Sequence, residues 1–237
     1  MIKVVLFDID NTLFPSNEFA ELARRHAISL MIEAGLPVDA DKAYEKLQLI
    51  IKKYGPNYPK HFNALLKEFG MKPNPKIVAA GIVAYHQAKT SIFPYPDVPQ
   101  TLIHLREEGY KVCAASQGVA IKQWDKLIRL GLHNILHEVF VTPKKSKKFY
   151  RSILRKLKLT PQEVVMVGDN IETDTKPAGE AGITTILVSP KGRHKGEADY
   201  SVKSIGEIPK ILEGLKRLRN TKRQAELLLK FCRRPSS

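Results

Sequence analysis

Along most of this 237-residue chain, short apolar runs alternate with helical patterns, and that alternation restricts the fold more than any other feature. The runs are Val4-Val5-Leu6, Tyr110–Ala115, Val139–Val141, Val164–Val167 and Thr185–Val188, and most end in small or polar residues. Between them the apolar spacing predicts helices over roughly Val98–Glu108, Val119–Leu130, Ser146–Leu157 and Thr173–Ala181. Gly182 stands where a helix C-terminal glycine belongs. Apolar runs this short and continuous suit strands buried on both faces, and strand–helix alternation places them in a parallel sheet flanked by helices. The expected class is α/β, with a Rossmann-like parallel sheet.

Residues 15–93 break the rhythm. They hold no strand pattern but four helical stretches, near Asn17–Ala34, Asp39–Lys53, Tyr58–Phe69 and Pro75–Ala88. Gly35-Leu36-Pro37, Tyr54-Gly55-Pro56-Asn57 and the segment from Gly70 to Pro75 punctuate them. An all-helical insertion directly after the first strand reads as a second domain covering the loop it interrupts. The expected organisation is residues 1–14 with 94–219 as an α/β core, 15–93 as a helical domain, and 220–237 as a basic C-terminal helix or tail. Leu227, Leu228, Leu229 and Phe231 would form the apolar face of that tail.

The net charge of +15 is concentrated. Residues 144–158 carry eight Lys or Arg and no acid, residues 216–237 carry eight more against Glu226 alone, and the rest of the chain is balanced. Local charge of this kind suits a solvated face or the steering of small anions, so nucleic acid is disfavoured as a partner. No stretch has the apolar length of a membrane span, so no membrane association is expected. Met1-Ile2-Lys3 leads straight into a strand, so no secretory signal is expected. Cys113 and Cys232 show no motif spacing, which suits a reducing cytoplasm and argues against structural zinc.

The chemistry concentrates at strand ends. Phe7-Asp8-Ile9-Asp10-Asn11-Thr12-Leu13 delivers two carboxylates to the carboxyl edge of the sheet, where open α/β sheets build their sites. Convergent carboxylates repel unless a cation joins them, and Mg²⁺ prefers one or two carboxylates together with phosphate oxygens. Asp8 suits a nucleophile, and Asp10 an acid that protonates a leaving alkoxide and later takes a proton from water. Ser116-Gln117-Gly118 follows the second strand and precedes a helix, which suits a phosphate cradle and equally a simple helix cap. Asp169 and Asp174, in Val167-Gly168-Asp169-Asn170-Ile171-Glu172-Thr173-Asp174, could complete a metal shell and orient a neighbour, or merely decorate a helix N-terminus. Some lysine near 144–148 should balance phosphoryl charge, and composition does not choose among the four there.

Taken together, these segments resemble the haloacid dehalogenase-like hydrolases, over residues 1 to about 215. Phe7–Leu13 resembles that family's first motif, Ser116-Gln117-Gly118 its second, Lys144 its third and Gly168-Asp169 through Asp174 its fourth. The helical residues 15–93 match the cap that one subclass inserts after the first motif. The family has a lysine followed by Pro-x-Pro ahead of its fourth motif, and 25 residues back from Asp169 lies Lys144. Lys145-Ser146-Lys147 stands where those prolines belong, which leaves Lys145 and Lys147 as substitutes. The resemblance implies Asp8, Asp10 and Lys144 as catalytic residues, and Asp8, Asp10 and Asp169 as Mg²⁺ ligands. Ser116, Gln117 and Lys144 would bind phosphate, Thr12 and Asp174 would support them, and Phe14 and Asn17 would select substrate. Displacing halide needs no acid at Asp10, whereas displacing an alkoxide does, so phosphoryl chemistry is favoured over dehalogenation. The expectation is a Mg²⁺-dependent cytoplasmic phosphatase that hydrolyses small phosphomonoesters through a phosphoaspartate. Resemblance to archaeal-type members points toward triose or sugar phosphates. The alternatives are a phosphomutase and a binding protein that uses its basic segments.

Overall fold

The computed structural model describes residues 1–190, 198–218 and 221. It divides into two compact units: Ser16–Ile92, and Met1–Pro15 with the chain from Phe93 onward. The expected tail helix, with Leu227 to Phe231, lies outside the described residues.

The second of these units is built on a six-stranded sheet in which every pairing is parallel. In chain order the strands are β1 (Val4–Phe7), β2 (Lys111–Gln117), β3 (Glu138–Thr142), β4 (Val164–Gly168), β5 (Thr184–Val188) and β6 (Tyr200–Val202). Their spatial order is β3-β2-β1-β4-β5-β6. The chain winds outward from β1 to β3, then crosses back to pair β4 on the other side of β1. Loops leaving β1 and β4 therefore diverge in opposite directions, and the crevice between them is the standard ligand position of an open α/β sheet. Register is set by Val4 opposite Lys111 on one side and Val164 on the other. All residues of β1 and β4 are buried, which is why both read as unbroken apolar runs.

Alternate residues serve the two faces. Val4, Leu6, Cys113, Ala115, Val164 and Met166 share one cluster with Tyr150, Ile153 and Leu154 from a helix over Lys147–Leu157, and with Ala178 and Ala181. Val98, Leu102 and Leu105 are buried along the helix Val98–Glu107, which packs on β2. A helix over Ala120–Arg129 follows β2. The stretch expected as one helix over Thr173–Ala181 is instead a π turn, Ile171–Thr175, running into a short helix, Lys176–Glu180. The widened turn brings Asp174 back beneath Asn170, whose carbonyl accepts from the Asp174 amide at 2.8 Å. The strand β6 and a helix over 208–218 had no clear sequence signal; β6 is a three-residue edge strand with only Val202 buried.

The unit Ser16–Ile92 is helical: Ser16–Glu33, Ala40–Tyr54, His61–Glu68 and Pro75–Ala88. The third helix starts later than its apolar pattern suggests, because Tyr58 precedes Pro59 and is steered away from helical geometry. Ile28, Met31, Leu47, Leu65, Leu66 and Ile77 form its core. Gly81 lets the first and fourth helices approach, since a Cβ there would stand 2.7 Å from the Met31 sulfur. Among the described residues no helix is long and apolar enough to cross a membrane.

Two of these helices start on side-chain caps. The Asp39 carboxylate accepts from the Asp41 and Lys42 amides, and the Asn74 carbonyl accepts from the Lys76 and Ile77 amides, with Pro75 at the first helical position. Asp39→Ala and Asn74→Ala should each lower stability by about 1 kcal/mol, read as a shifted urea midpoint with unchanged slope.

Candidate active site

The candidate site is assembled at the carboxyl ends of β1, β2 and β4. The Asp8 amide donates to the Val167 carbonyl at 2.9 Å, which carries the β1–β4 pairing one residue past the strand and sets Asp8 beside the start of the next loop. Asn11 then takes a left-handed conformation, φ 56°, which asparagine tolerates better than most residues. Beyond it the buried Thr12 hydroxyl donates to Asp169 Oδ1 at 3.3 Å, tying the loops after β1 and β4 together. Gly168 is required by space. A Cβ there would lie 2.4 Å from Asp174 Oδ2, which accepts from the Asn170 amide at 3.1 Å.

At the centre is Lys145. Its ammonium donates to Asp8 Oδ1 and to Asp174 Oδ1, and its side chain is only 2% exposed. Carboxylate oxygens of Asp8, Asp169 and Asp174 lie within 4.8 Å of one another. Burial raises the Asp8 carboxyl to about 7; Lys145 opposes the rise and Asp174 adds to it. Burial, followed by the charge of Asp8, raises Asp169 to about 6. Asp174 is raised as well, chiefly by burial. Burial disfavours the Lys145 ammonium, but Asp8 and Asp174 outweigh it and the lysine is raised. The Tyr150 hydroxyl donates to the Thr173 carbonyl at 3.4 Å, and burial with the two carboxylates keeps it protonated.

Three carboxylates against one ammonium leave two negative charges uncompensated when all are ionised, and hard oxygen donors are what a divalent cation of the Mg²⁺ type takes. The residues present therefore fit such an ion. Asp174 has both oxygens engaged by Lys145 and by Asn170, so Asp8 and Asp169 are the members most open to it.

The structure places the residues expected from the sequence as follows. Lys144 is exposed, and the bonds it makes are backbone ones to the Thr142 hydroxyl. Lys147 is also exposed. The lysine at Asp8 is Lys145, one residue nearer Asp169 than the count from the family pattern. Its position follows from two contacts: Ser146 caps the Phe149 amide to start the next helix, and Gln117 Oε1 accepts from the Lys145 amide at 3.0 Å. The Gln117 side-chain oxygen thus helps to position Lys145, and its backbone carbonyl accepts from Gln123 Nε2 at 2.8 Å. The Asp10 side chain stands apart from the carboxylate cluster, paired with Lys126 Nζ at 2.6 and 2.7 Å and with Gln123 Nε2 at 3.2 Å. Phe14 is buried, its ring centre 5.8 Å from the Lys126 ammonium. Asn17 is exposed near the start of the first helix of the helical unit.

Ser116 Oγ is buried and has no hydrogen-bond partner among the described residues. A hydroxyl in that condition is costly unless a ligand engages it. Gly118, at φ +145°, admits Gln123 to this edge, because a Cβ would meet Gln123 Nε2 at 3.0 Å. Gln123 and Lys126 carried a signal that periodicity does not weigh. The helix Ala120–Arg129 buries Gln123 and Leu127 and exposes Ile121, Trp124 and Ile128, so three of its apolar residues face outward while its amide and an ammonium bond Asp10.

Lys145→Met should lower stability by about 3 kcal/mol at neutral pH without added metal, because Asp8 and Asp174 lose their shared cation. Lys144→Ala should change stability by less than about 0.5 kcal/mol. Gly168→Ala should resemble Lys145→Met in urea unfolding, since Asp174 must leave its place.

A family model for haloacid dehalogenase-like hydrolases matches residues 2–182. A protein from Methanopyrus kandleri named glyceraldehyde 3-phosphate phosphatase is 47% identical over 217 residues, 88% of this chain and 91% of its own length. A protein of the same name from Methanocaldococcus jannaschii is 40% identical over 228 residues, 92% of this chain and all of its own. Among solved structures, a phosphatase of this family from Thermococcus onnurineus superposes with a TM-score of 0.66 at 25% identity, covering 89% of this chain and 98% of its own. With the catalytic-type loops at the ends of β1, β2 and β4 and the sheet order that brings them together, this chain belongs to the haloacid dehalogenase-like hydrolases.

Proposed function

We propose that this chain is a cytoplasmic Mg²⁺-dependent phosphatase that hydrolyses glyceraldehyde 3-phosphate or a phosphomonoester of similar size through a phosphoaspartate on Asp8. The observation that carries the reading is Lys145, a buried ammonium shared by Asp8 and Asp174 at the crevice between β1 and β4. The substrate assignment draws on the relatives that bear the glyceraldehyde 3-phosphate phosphatase name.

Asp8 and Asp169 would hold the cation, which when bound would supply positive charge to the phosphoryl oxygens. Asp8 attacks phosphorus, the bond to the leaving oxygen breaks, and Asp10 gives that oxygen its proton. A water molecule then attacks the aspartyl phosphate, Asp10 takes its proton, and inorganic phosphate leaves with Asp8 restored. Lys145 neutralises Asp8 between turnovers and takes phosphoryl oxygens during them. The unpartnered Ser116 hydroxyl is the donor for one of those oxygens. Thr12 and Asp174 hold Asp169 and Lys145 in place. The helical unit serves as a cap during turnover, and Asn17 and Phe14 bear on substrate choice.

Release of inorganic phosphate from a panel of triose, sugar and nucleoside phosphates, with and without Mg²⁺, tests the proposal. Expected is Mg²⁺-dependent turnover with glyceraldehyde 3-phosphate among the best substrates, and Asp8→Asn below about a thousandth of wild type. Turnover by Asp8→Asn within tenfold of wild type would overturn the nucleophile, and indifference to EDTA would overturn the metal.

A further inference from the structure

The bonds around Asp10 differ from those around the other three acids. Asp8, Asp169 and Asp174 gather within 4.8 Å, whereas Asp10 is not one of that group, though its charge still acts on Asp8, and it is held by two side chains of the helix Ala120–Arg129. Lys126 Nζ donates to both oxygens of Asp10, at 2.6 and 2.7 Å, and Gln123 Nε2 donates to Oδ2 at 3.2 Å. Gln123 is itself 3% exposed and anchored at 2.8 Å on the Gln117 carbonyl, and the Gln117 side chain anchors the Lys145 amide. One continuous set of bonds thus runs from Asp10 through Gln123 and Gln117 to the residue that carries the central ammonium.

Two donors on one carboxylate, at different angles, fix its rotation as well as its place. A free Asp10 side chain could turn toward the cation site and become a further metal ligand, which would remove the proton carrier from the leaving group. The pair is only partly buried, with Lys126 and Asp10 side chains 29% and 31% exposed, so the contact is a weak source of stability. Its worth lies in orientation.

Resting on the phosphatase reading above, we propose that Lys126, seated beside Gln123, is a positioning residue that holds the Asp10 carboxylate out of the metal cluster and aimed at the leaving-group oxygen. Lys126 acts through Asp10 and needs no contact with substrate.

The test is a double-mutant cycle of Lys126→Met and Asp10→Asn, with kcat, KM and the single-turnover rate of leaving-group release measured on an alkyl phosphate and on p-nitrophenyl phosphate. In the wild-type background Lys126→Met should lower the single-turnover rate about 30-fold on the alkyl phosphate, within the range acid–base positioning supplies, and less than about 3-fold on p-nitrophenyl phosphate, with KM nearly unchanged on both. In the Asp10→Asn background the same substitution should cost less than about 2-fold on either substrate, because the group it positions is already gone. Lys126→Arg, which also offers two donors, should recover most of the loss. Equal losses in the two backgrounds, or a raised KM with kcat preserved, would overturn the proposal, the latter by showing that Lys126 binds substrate. Thermal unfolding of each variant checks that the fold is intact, and Lys126→Gln takes the same measurements if Lys126→Met does not fold. Failure of the phosphatase reading looks different: the wild-type protein itself then hydrolyses neither substrate.

Discussion

The ammonium of Lys145 between Asp8 and Asp174 is the interaction on which this site depends. Three carboxylates within 4.8 Å, buried at the edge of a sheet, are untenable as a fully ionised group without compensation. Even with the lysine in place, burial holds the Asp8 carboxyl near 7 and Asp169 near 6. Much of the local structure can be read as support for that one ammonium. Ser146 starts the following helix and Gln117 pins the Lys145 amide. Gly168 makes room for Asp174, and the π turn brings Asp174 beneath Asn170.

The sheet order then determines what this cluster faces. Because the chain returns from β3 to pair β4 with β1, the two acid-bearing loops leave adjacent strands in opposite directions. Asp8 and Asp169 meet across that crevice, although 160 residues separate them in sequence. A third strand end, at Ser116, contributes a buried hydroxyl with no partner among the described residues. A fixed cation, acids poised between charged and neutral forms and an unspent donor form a preorganised polar site of the kind that stabilises transferred phosphoryl charge.

The sheet was legible in the sequence because β1, β2 and β4 are buried on both faces and read as apolar runs. The acids were legible because each follows such a run. The lysine was not, since four neighbouring lysines are chemically alike and what distinguishes Lys145 is the seating of the following helix on Ser146 and the bond of its amide to Gln117. Gln123 and Lys126 were missed for a different reason. The apolar residues Ile121, Trp124 and Ile128 lie exposed, whereas Gln123 is buried beside Leu127, so the apolar pattern of this helix does not mark the residues that bond Asp10. The π turn, which closes with the Lys176 amide on the Ile171 carbonyl and is accompanied by the bond that the Asn170 amide donates to Asp174, escaped because no local propensity records it. β6 escaped because three residues at an edge carry too little pattern.

Trapping the covalent intermediate tests the central claim most directly. With p-nitrophenyl phosphate the first step needs no proton from Asp10, whereas attack by water needs Asp10 to take one, so the Asp10→Asn protein should accumulate the aspartyl phosphate in the presence of Mg²⁺. Borohydride reduction of that species, followed by peptide mass analysis, should find homoserine at position 8 and nowhere else. An unmodified Asp8, or a reduced residue at any other position, would contradict the account.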